Sequence, residues 1–475
     1  EPPVSDPPLS PTVRWGLVGL GSLVAALAIG RAESCLSAND RSRWATVWSL
    51  VERGTYRIDE IDSRKVLHKP SGKRRLRFRT IDKVRHDGHF YSSKPPLLPT
   101  LVAGVYAGIR GATGWNLLDQ TETVSRLILM LVNWLPWTIA LVVLARMLDR
   151  YARHRSTRVL VLVTASVGTL LLPFLVALNN HTVAATAVVF VVAAVLRVTV
   201  DGDLCPRHFI FAGLFAGWAA ANDLPAASLV AVAGWLLFGT DRRRTLMFFL
   251  PAVALVAVAF IGTNVIATGG WKPFYAYYGT EKYLWTVDGQ QSYWLNPLGI
   301  DKGNDSPAVY LLHCLVGHHG IFSLSPVFLI GLLTISNRVR REGSPLVRLT
   351  AWTGLLTTVV LGFYLTRTQN YNYGGVSCAL RWSLWLVPLW LMSLVPVVDS
   401  WSETGSRAAP PGEDPKSPAS GRTALRVAWI LTALSIVSAV FPLLHTWKKY
   451  PPPPNPFQAP WFYRLMEDWG WIAYG

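Results

Sequence analysis

Five short stretches of this sequence set ionisable or amide side chains against apolar runs, where they can meet both water and a lipid surface. Asn39-Asp40-Arg41-Ser42-Arg43-Trp44-Ala45 places a carboxylate three residues before a guanidinium, and Asp87-Gly88-His89-Phe90-Tyr91-Ser92-Ser93-Lys94-Pro95-Pro96-Leu97-Leu98 ends in a lysine just ahead of apolar sequence. Asn179-Asn180-His181 and Asn222-Asp223-Leu224-Pro225 interrupt apolar runs, and Gln369-Asn370-Tyr371-Asn372-Tyr373-Gly374-Gly375 precedes Arg381. Carboxylates so placed can accept a proton, and cations at a membrane boundary can neutralise an anion without entering hydrocarbon. Each stretch also has a plain structural use. Asn39 or Asp40 can cap the helix that follows and Arg43 can pair within it; Pro225 can start a new helix just after Asp223. Trp271-Lys272-Pro273-Phe274-Tyr275-Ala276-Tyr277-Tyr278, followed by Glu281, Lys282 and Asp288, puts rings near charges, which suits stacking on sugars and equally suits interfacial packing. His318 and His319, downstream of His313, have no third ligand near them, so a zinc site is not expected.

What positions these residues is a membrane. Of 475 residues, 51% are hydrophobic and only 15% charged, with mean hydropathy +0.30, a composition that excludes an ordinary soluble domain. The runs 15–32, 127–144, 159–178, 182–196, 246–266, 349–365 and 425–444 approach the roughly 20 apolar residues that cross a ~30 Å hydrocarbon layer. Being apolar on all faces, they read as helices rather than barrel strands. The expected fold is an all-α polytopic bundle of about eleven transmembrane helices with two large extracytoplasmic segments. The first run follows an acidic, proline-rich stretch and is expected to stay on the chain despite Ala26 and Ala28; with no initiator Met, a few residues are expected ahead of Glu1. Many of the 21 Trp suit interfacial anchoring. Cys35, Cys205, Cys314 and Cys378 form no Cys-x-x-Cys pair, and their spacing decides no disulfide. The lack of a Gly-rich nucleotide motif argues against a cytoplasmic nucleotide-dependent enzyme, and nucleic acid is not an expected partner.

The linkers are uneven in charge. Residues 146–158, Arg242-Arg243-Arg244, 338–341 and the stretch with Arg407, Lys416 and Arg422 are basic, whereas 179–181, 222–225 and 369–375 carry no Lys or Arg. The two sets alternate, which places the N-terminus in the cytoplasm. The expected order is a disordered cytoplasmic N-terminus (1–14), a first span (15–32), a first extracytoplasmic segment with interfacial helices (33–126), a bundle (127–266), a second outer segment (267–320), a bundle (321–398), a cytoplasmic linker (399–424), a last span (425–444) and an outer tail (445–475). Residues 96–109 must then lie along or dip into the outer surface without crossing, because a crossing there inverts every later linker.

Asp40-x-x-Arg43, a helix over 46–53, a turn at Gly54 and then Lys94-Pro95-Pro96-Leu97, set just after a first span, resemble the C-type glycosyltransferases. The likeness is to the branch containing aminoarabinose transferase and the protein O-mannosyltransferases, which shows Asp-Glu-x-Arg-Tyr-Ala, a short helix, a Gly turn and Lys-Pro-Pro-Leu. It covers mainly the first third of the chain. It implies a cell-envelope enzyme of the plasma membrane, the inner membrane in a bacterium, with its active site outside the cytoplasm. Such an enzyme moves a sugar from a polyprenyl-phosphate carrier to an acceptor lipid, protein or glycan, which calls for a base and for groups that stabilise the leaving phosphate. The family's first-loop Asp, base or metal anchor, falls on Asp40; its Arg on Arg43; its Lys on Lys94. Arg381 is a second candidate phosphate clamp, and Asp223, His181, Tyr91 and Asn370 are candidate substrate contacts.

The sequence departs from that pattern three times. Arg41 replaces the usual Glu, and Asn179-Asn180-His181 stands where many members place a second acid, so a divalent cation, with Asp40 as its anchor, has few oxygen ligands. The third departure is a basic insertion, 65–85, with Lys73, Arg74, Arg75, Arg77 and Arg79: a solvated loop, or a contact for anionic headgroups or a polyanionic acceptor. Two other readings compete. A transporter or flippase of lipid-linked substrates calls for charges buried mid-span and an inverted repeat, and neither is visible; an inactive envelope scaffold is suggested by Arg41 and His181.

Overall fold

The computed structural model describes residues 5–68, 72–335, 346–368, 371–375, 377–406 and 418–444. Among these, eight helices are long and apolar enough to cross a membrane: Pro11–Arg31, Thr121–Tyr151, Arg155–Val176, Asn180–Thr199, Arg242–Thr268, Leu346–Leu365, Arg381–Thr404 and Gly421–Leu443. Leu224–Thr240 is a shorter apolar helix, and Pro206–Asn222 packs against both Asn180–Thr199 and Leu250–Thr268. In the stretch 321–398, expected to be membrane bundle throughout, residues 321–335 form no single helix. They break into Ile321–Leu324, Pro326–Phe328, Leu329–Leu332 and Leu333–Ile335, because Pro326 lacks an amide proton and forces Ser325 out of helical geometry. The outer tail expected at 445–475 and most of the linker expected at 399–424 lie outside the described residues.

Arg155–Val176, Asn180–Thr199 and Arg381–Thr404 form the buried centre, while Arg242–Thr268 turns apolar side chains such as Leu255, Val258 and Ile266 outward. Exposed aliphatic surface of that extent is stable only against hydrocarbon. Contact between Pro206–Asn222 and its neighbour depends on small residues: a Cβ on Gly213 falls 2.4 Å from the Phe249 carbonyl oxygen and 2.8 Å from the Ala252 methyl, the close approach that membrane helices use in place of a hydrophobic driving force.

The two ends of the bundle differ in chemistry. At one end Arg14 pairs with Asp149 at 2.5 Å and Arg153 with Glu403 at 2.7 Å, while Asp399 accepts from the Arg153 and His154 amides. At the other, helix Ala38–Arg53, capped by Ser37 and ended by Gly54 at φ 63°, lies beside helix Leu97–Thr113. The latter starts next to Lys94, and beyond its middle Tyr106 donates to Glu52 at 2.7 Å and Arg110 pairs with the same carboxylate. The two helices are therefore fastened to each other near their C-terminal ends.

The all-α expectation needs one amendment, since the segments at this end carry three antiparallel hairpins: Val66–His68 with Lys73–Arg75, Lys83–His86 with His89–Ser92, and Thr286–Val287 with Gln290–Gln291. Two of them close on Asp-Gly pairs with positive φ, Asp87-Gly88 at 47° and 81° and Asp288-Gly289 at 49° and 74°, the geometry whose twist suits two-residue hairpins. All four cysteines are free. Gly213→Leu is expected to lower the thermal unfolding temperature in detergent, at a cost of about 1–3 kcal/mol from overpacking; an unchanged transition contradicts this helix contact.

Candidate active site

The Asp87-Gly88 hairpin builds the first part of the site. It returns the chain so that Lys83 faces Ser92, and the flanking residues meet: the Ser93 amide donates to the Asp82 carbonyl at 3.1 Å. Ser42 on helix Ala38–Arg53 donates to the same carbonyl at 2.7 Å and lies 2.6 Å from the Ser92 hydroxyl. The register brings Lys94 Nζ to 3.4 Å from an Asp82 carboxylate oxygen. Lys83, beside Asp82, turns inward to Asp62 at 2.5 Å, so neighbouring residues serve opposite faces of the strand.

The second part comes from span ends. Asn179 caps helix Asn180–Thr199 by accepting from the Thr182 amide at 2.9 Å. Helix Pro206–Asn222 stops at Asp223, which is extended, and Pro225 opens the next turn. Across this junction His181 Nδ1 lies 2.9 Å from one Asp223 oxygen and Asn180 donates to the other at 3.3 Å. The Asn180 side-chain Oδ1 accepts from Arg43, whose other nitrogen donates to the Asn39 side chain at 2.8 Å. Arg381 opens its own helix. Gly374, at φ 87°, lets the chain pass close to it, because a Cβ there would fall 2.8 Å from Arg381 Nε.

Several of these residues line one cavity of about 1730 Å³, larger than a single small ligand needs. Of the site residues expected from the sequence, Arg43, Lys94, Arg381, Asp223 and His181 face it. Asp40 does not. Its two oxygens accept from the backbone amides of Leu36 and Leu178, each at 2.9 Å, and it is 2% exposed, so it ties the start of its helix to the loop before Asn179. Burial raises its pKa to about 6 against the lowering effect of those amides. Tyr91 packs instead against Phe274, and Asn370 lies outside the described residues. The structure adds Asp82, Asp301 and Asp305 to the wall. Asp301 accepts from Tyr293 at 2.8 Å and Asn372 at 3.0 Å, and Asp305 from Tyr373 at 2.5 Å. Asp82 had no motif to mark it; only the hairpin signal Asp-Gly, read with the distance back to Lys94, points there.

Charge in the cavity is dominated by cations near one another. Burial lowers the Arg43 pKa to about 10, with the charge of Arg381 as the next cause. Burial likewise lowers Lys94 to about 8, opposed by Asp82 and assisted by Arg43 and Arg381. Clustered like charges that disfavour one another's protonation form a site for an anion, whose arrival relieves both effects. His318 and His319 also line the wall, and burial holds them neutral, near 2 and 3. Among the described residues no group of three or more His, Cys, Asp or Glu side chains could hold a metal, and Asp40, the candidate anchor, has both oxygens taken by amides, so these residues do not fit a divalent cation there. Because burial lowers the Lys94 pKa to about 8, affinity of the cavity for an anion is expected to fall as pH rises through that value, and Lys94→Arg to remove the fall. Binding measured on either side of that pH checks this; equal affinities contradict it.

No protein-family model matches the chain, and no curated protein does. Among solved structures it is similar to the archaeal oligosaccharyltransferase AglB from Archaeoglobus fulgidus in complex with an inhibitory peptide and a dolichol-phosphate, at 11% identity and TM-score 0.51, covering 92% of this chain and 56% of that one. It is also similar to the apo form of the Archaeoglobus fulgidus oligosaccharyltransferase, at 10% identity and TM-score 0.52, covering 98% and 60%. The chain spans a little over half the length of these neighbours. The likeness is one of fold alone, that of a polytopic helical membrane protein, and it does not single out the aminoarabinose and O-mannosyl branch.

Proposed function

We propose that this chain is a C-type glycosyltransferase that moves a sugar from a polyprenyl-phosphate carrier to an acceptor on the extracytoplasmic face of the membrane. The observation that carries the reading is the shared cavity: Arg43, Lys94 and Arg381 face it together with Asp82 and the His181–Asp223 pair, at the end of the bundle where the loops lack Lys and Arg at 179–181 and 222–225. The bound dolichol-phosphate of the archaeal neighbour is consistent with a lipid phosphate in this fold.

His181, with Nδ1 held by Asp223, keeps Nε2 to take the proton of the acceptor. The acceptor oxygen or nitrogen attacks the anomeric carbon, the bond from that carbon to the phosphate oxygen breaks, and the oxygen keeps the electron pair. Lys94, Arg43 and Arg381 meet the charge that develops on it. Asp82 holds Lys94 in place before the phosphate arrives. Tyr275, Tyr278 and Trp294 in the same lining offer faces for sugar rings. Asp40 is a positioning residue in this scheme, acting through the loop at Leu178 and through Arg43.

In an assay with a labelled polyprenyl-phosphate sugar, His181→Gln and Asp223→Asn are expected to cut transfer by about 10²-fold or more while leaving carrier binding intact. Lys94→Gln with Arg381→Gln is expected to weaken both. Carrier binding unchanged in the double variant excludes the assigned phosphate site. For sidedness, Asn304→Cys, in a Cys205→Ser background, is expected to react with an impermeant thiol reagent on intact cells, and Arg243→Cys only after permeabilisation; the reverse pattern places the cavity in the cytoplasm.

A further inference from the structure

The basic insertion is divided by the fold into two kinds of cation. Arg77 is taken inward, where it is 9% exposed, pairs with Glu122 and donates to the Ser34 carbonyl at 3.3 Å. Phe78 is fully buried beside it, and Thr80 donates from its hydroxyl to the Ala38 carbonyl at 2.7 Å and from its amide to Asp62 at 2.9 Å. These contacts clamp the returning arm to the folded segment. Lys83, near the end of the insertion, is likewise buried against Asp62, while five other cations stay outside. Lys65, Lys73, Arg74, Arg75 and Arg79 are exposed, and among the described residues none of these five is ion-paired with a carboxylate.

Lys73–Arg75 form one strand of a two-stranded ribbon whose other strand is held by Val66, 4% exposed. Successive side chains of the strand point to opposite faces of the ribbon, and Arg74 also donates to the Lys65 carbonyl at 3.2 Å, a contact that leaves its charge uncancelled. The chain then runs to the cavity, whose lining includes Leu76, Arg79 and Arg41. Along the chain, cations therefore run from the ribbon through Arg79 to the lining of the space that holds Arg43, Lys94 and Arg381. A flat anionic bilayer can touch the ribbon but cannot follow that path into a cavity; a flexible anionic chain can do both.

We infer that the ribbon is the docking surface for a polyanionic chain, bearing carboxylates or phosphodiesters along its length, whose end passes Arg79 into the cavity. That this chain is the acceptor rests on the transferase reading; that it binds does not. The association is electrostatic and exposed, so it is steered at long range and screened by salt.

The test uses the purified full chain in uncharged detergent, with fluorescein-labelled polygalacturonate and size-matched dextran as probes and anisotropy as readout. Polygalacturonate is expected to bind, dextran not, and affinity to fall at least about tenfold between about 50 and about 300 mM salt. Substituting Lys73, Arg74 and Arg75 together by Gln is expected to weaken polygalacturonate at least about tenfold. Arg79→Gln is expected to weaken it less, and Arg74→Lys with Arg75→Lys to keep it. Equal binding by the Gln variant, binding of dextran as tight as polygalacturonate, or salt-independent binding by the unsubstituted chain overturns the proposal. So does a variant that keeps the polymer and loses only phosphatidylglycerol vesicles, which assigns the ribbon to the membrane. Matched thermal unfolding of the variants guards against misfolding, and the salt series on the unsubstituted chain needs no variant. Carrier-phosphate binding, measured on the same samples, is expected to be unaffected by the ribbon substitutions; its loss in the Lys94 and Arg381 variants tests the transfer site separately.

Discussion

Three cations that repel one another, Arg43, Lys94 and Arg381, are held around a single cavity, and most of the surrounding structure serves to keep them there. Left to themselves such groups turn outward to water or deprotonate, since burial and mutual repulsion act in the same direction. The protein counters this with fixed partners rather than with full neutralisation. Asp82 stands 3.4 Å from Lys94, and Arg43 is bound by the amide oxygens of Asn39 and Asn180, which stabilise the guanidinium without cancelling its charge. A residual positive field is what an anionic ligand requires, and amides rather than acids around Arg43 preserve it.

Each of these partners is delivered by a local rule acting at the end of an element. The Asp-Gly turn sets the hairpin register that brings residue 82 back to residue 94. The Asn179 cap fixes where helix Asn180–Thr199 begins, and so where Asn180 and His181 point. Pro225 ends the preceding helix at Asp223. Asp40 links two of these pieces by accepting amides from Leu36 and Leu178, which fastens the juxtamembrane helix to the loop that carries the cap. A carboxylate in that role shapes the cavity without lining it. The basic insertion follows the same economy: one arginine, Arg77, is spent on anchoring to Glu122, and its neighbours remain exposed.

The membrane character of the chain was readable from residue types alone, because a helix that faces hydrocarbon must be apolar over a length set by the bilayer and no later packing can alter that requirement. The cations that line the cavity were also readable, since Lys94 and Arg381 sit at abrupt changes from polar to apolar sequence and Arg43 belongs to a compact motif. So were His181 and Asp223, as polar breaks between apolar runs. What one-dimensional reading could not decide was which carboxylate joins them. Asp40 carries the stronger sequence signal, yet its oxygens are consumed by backbone amides from residues 36 and 178, a fact that depends on where a distant loop comes to rest. Asp82 has no motif and reaches Lys94 through a hairpin register, while Asp301 and Asp305 reach the wall through contacts with Asn372 and Tyr373 some 70 positions away. Hydropathy is a property of each segment and survives in the sequence; the facing of a charged side chain is a property of pairs of segments, and only the folded chain settles it.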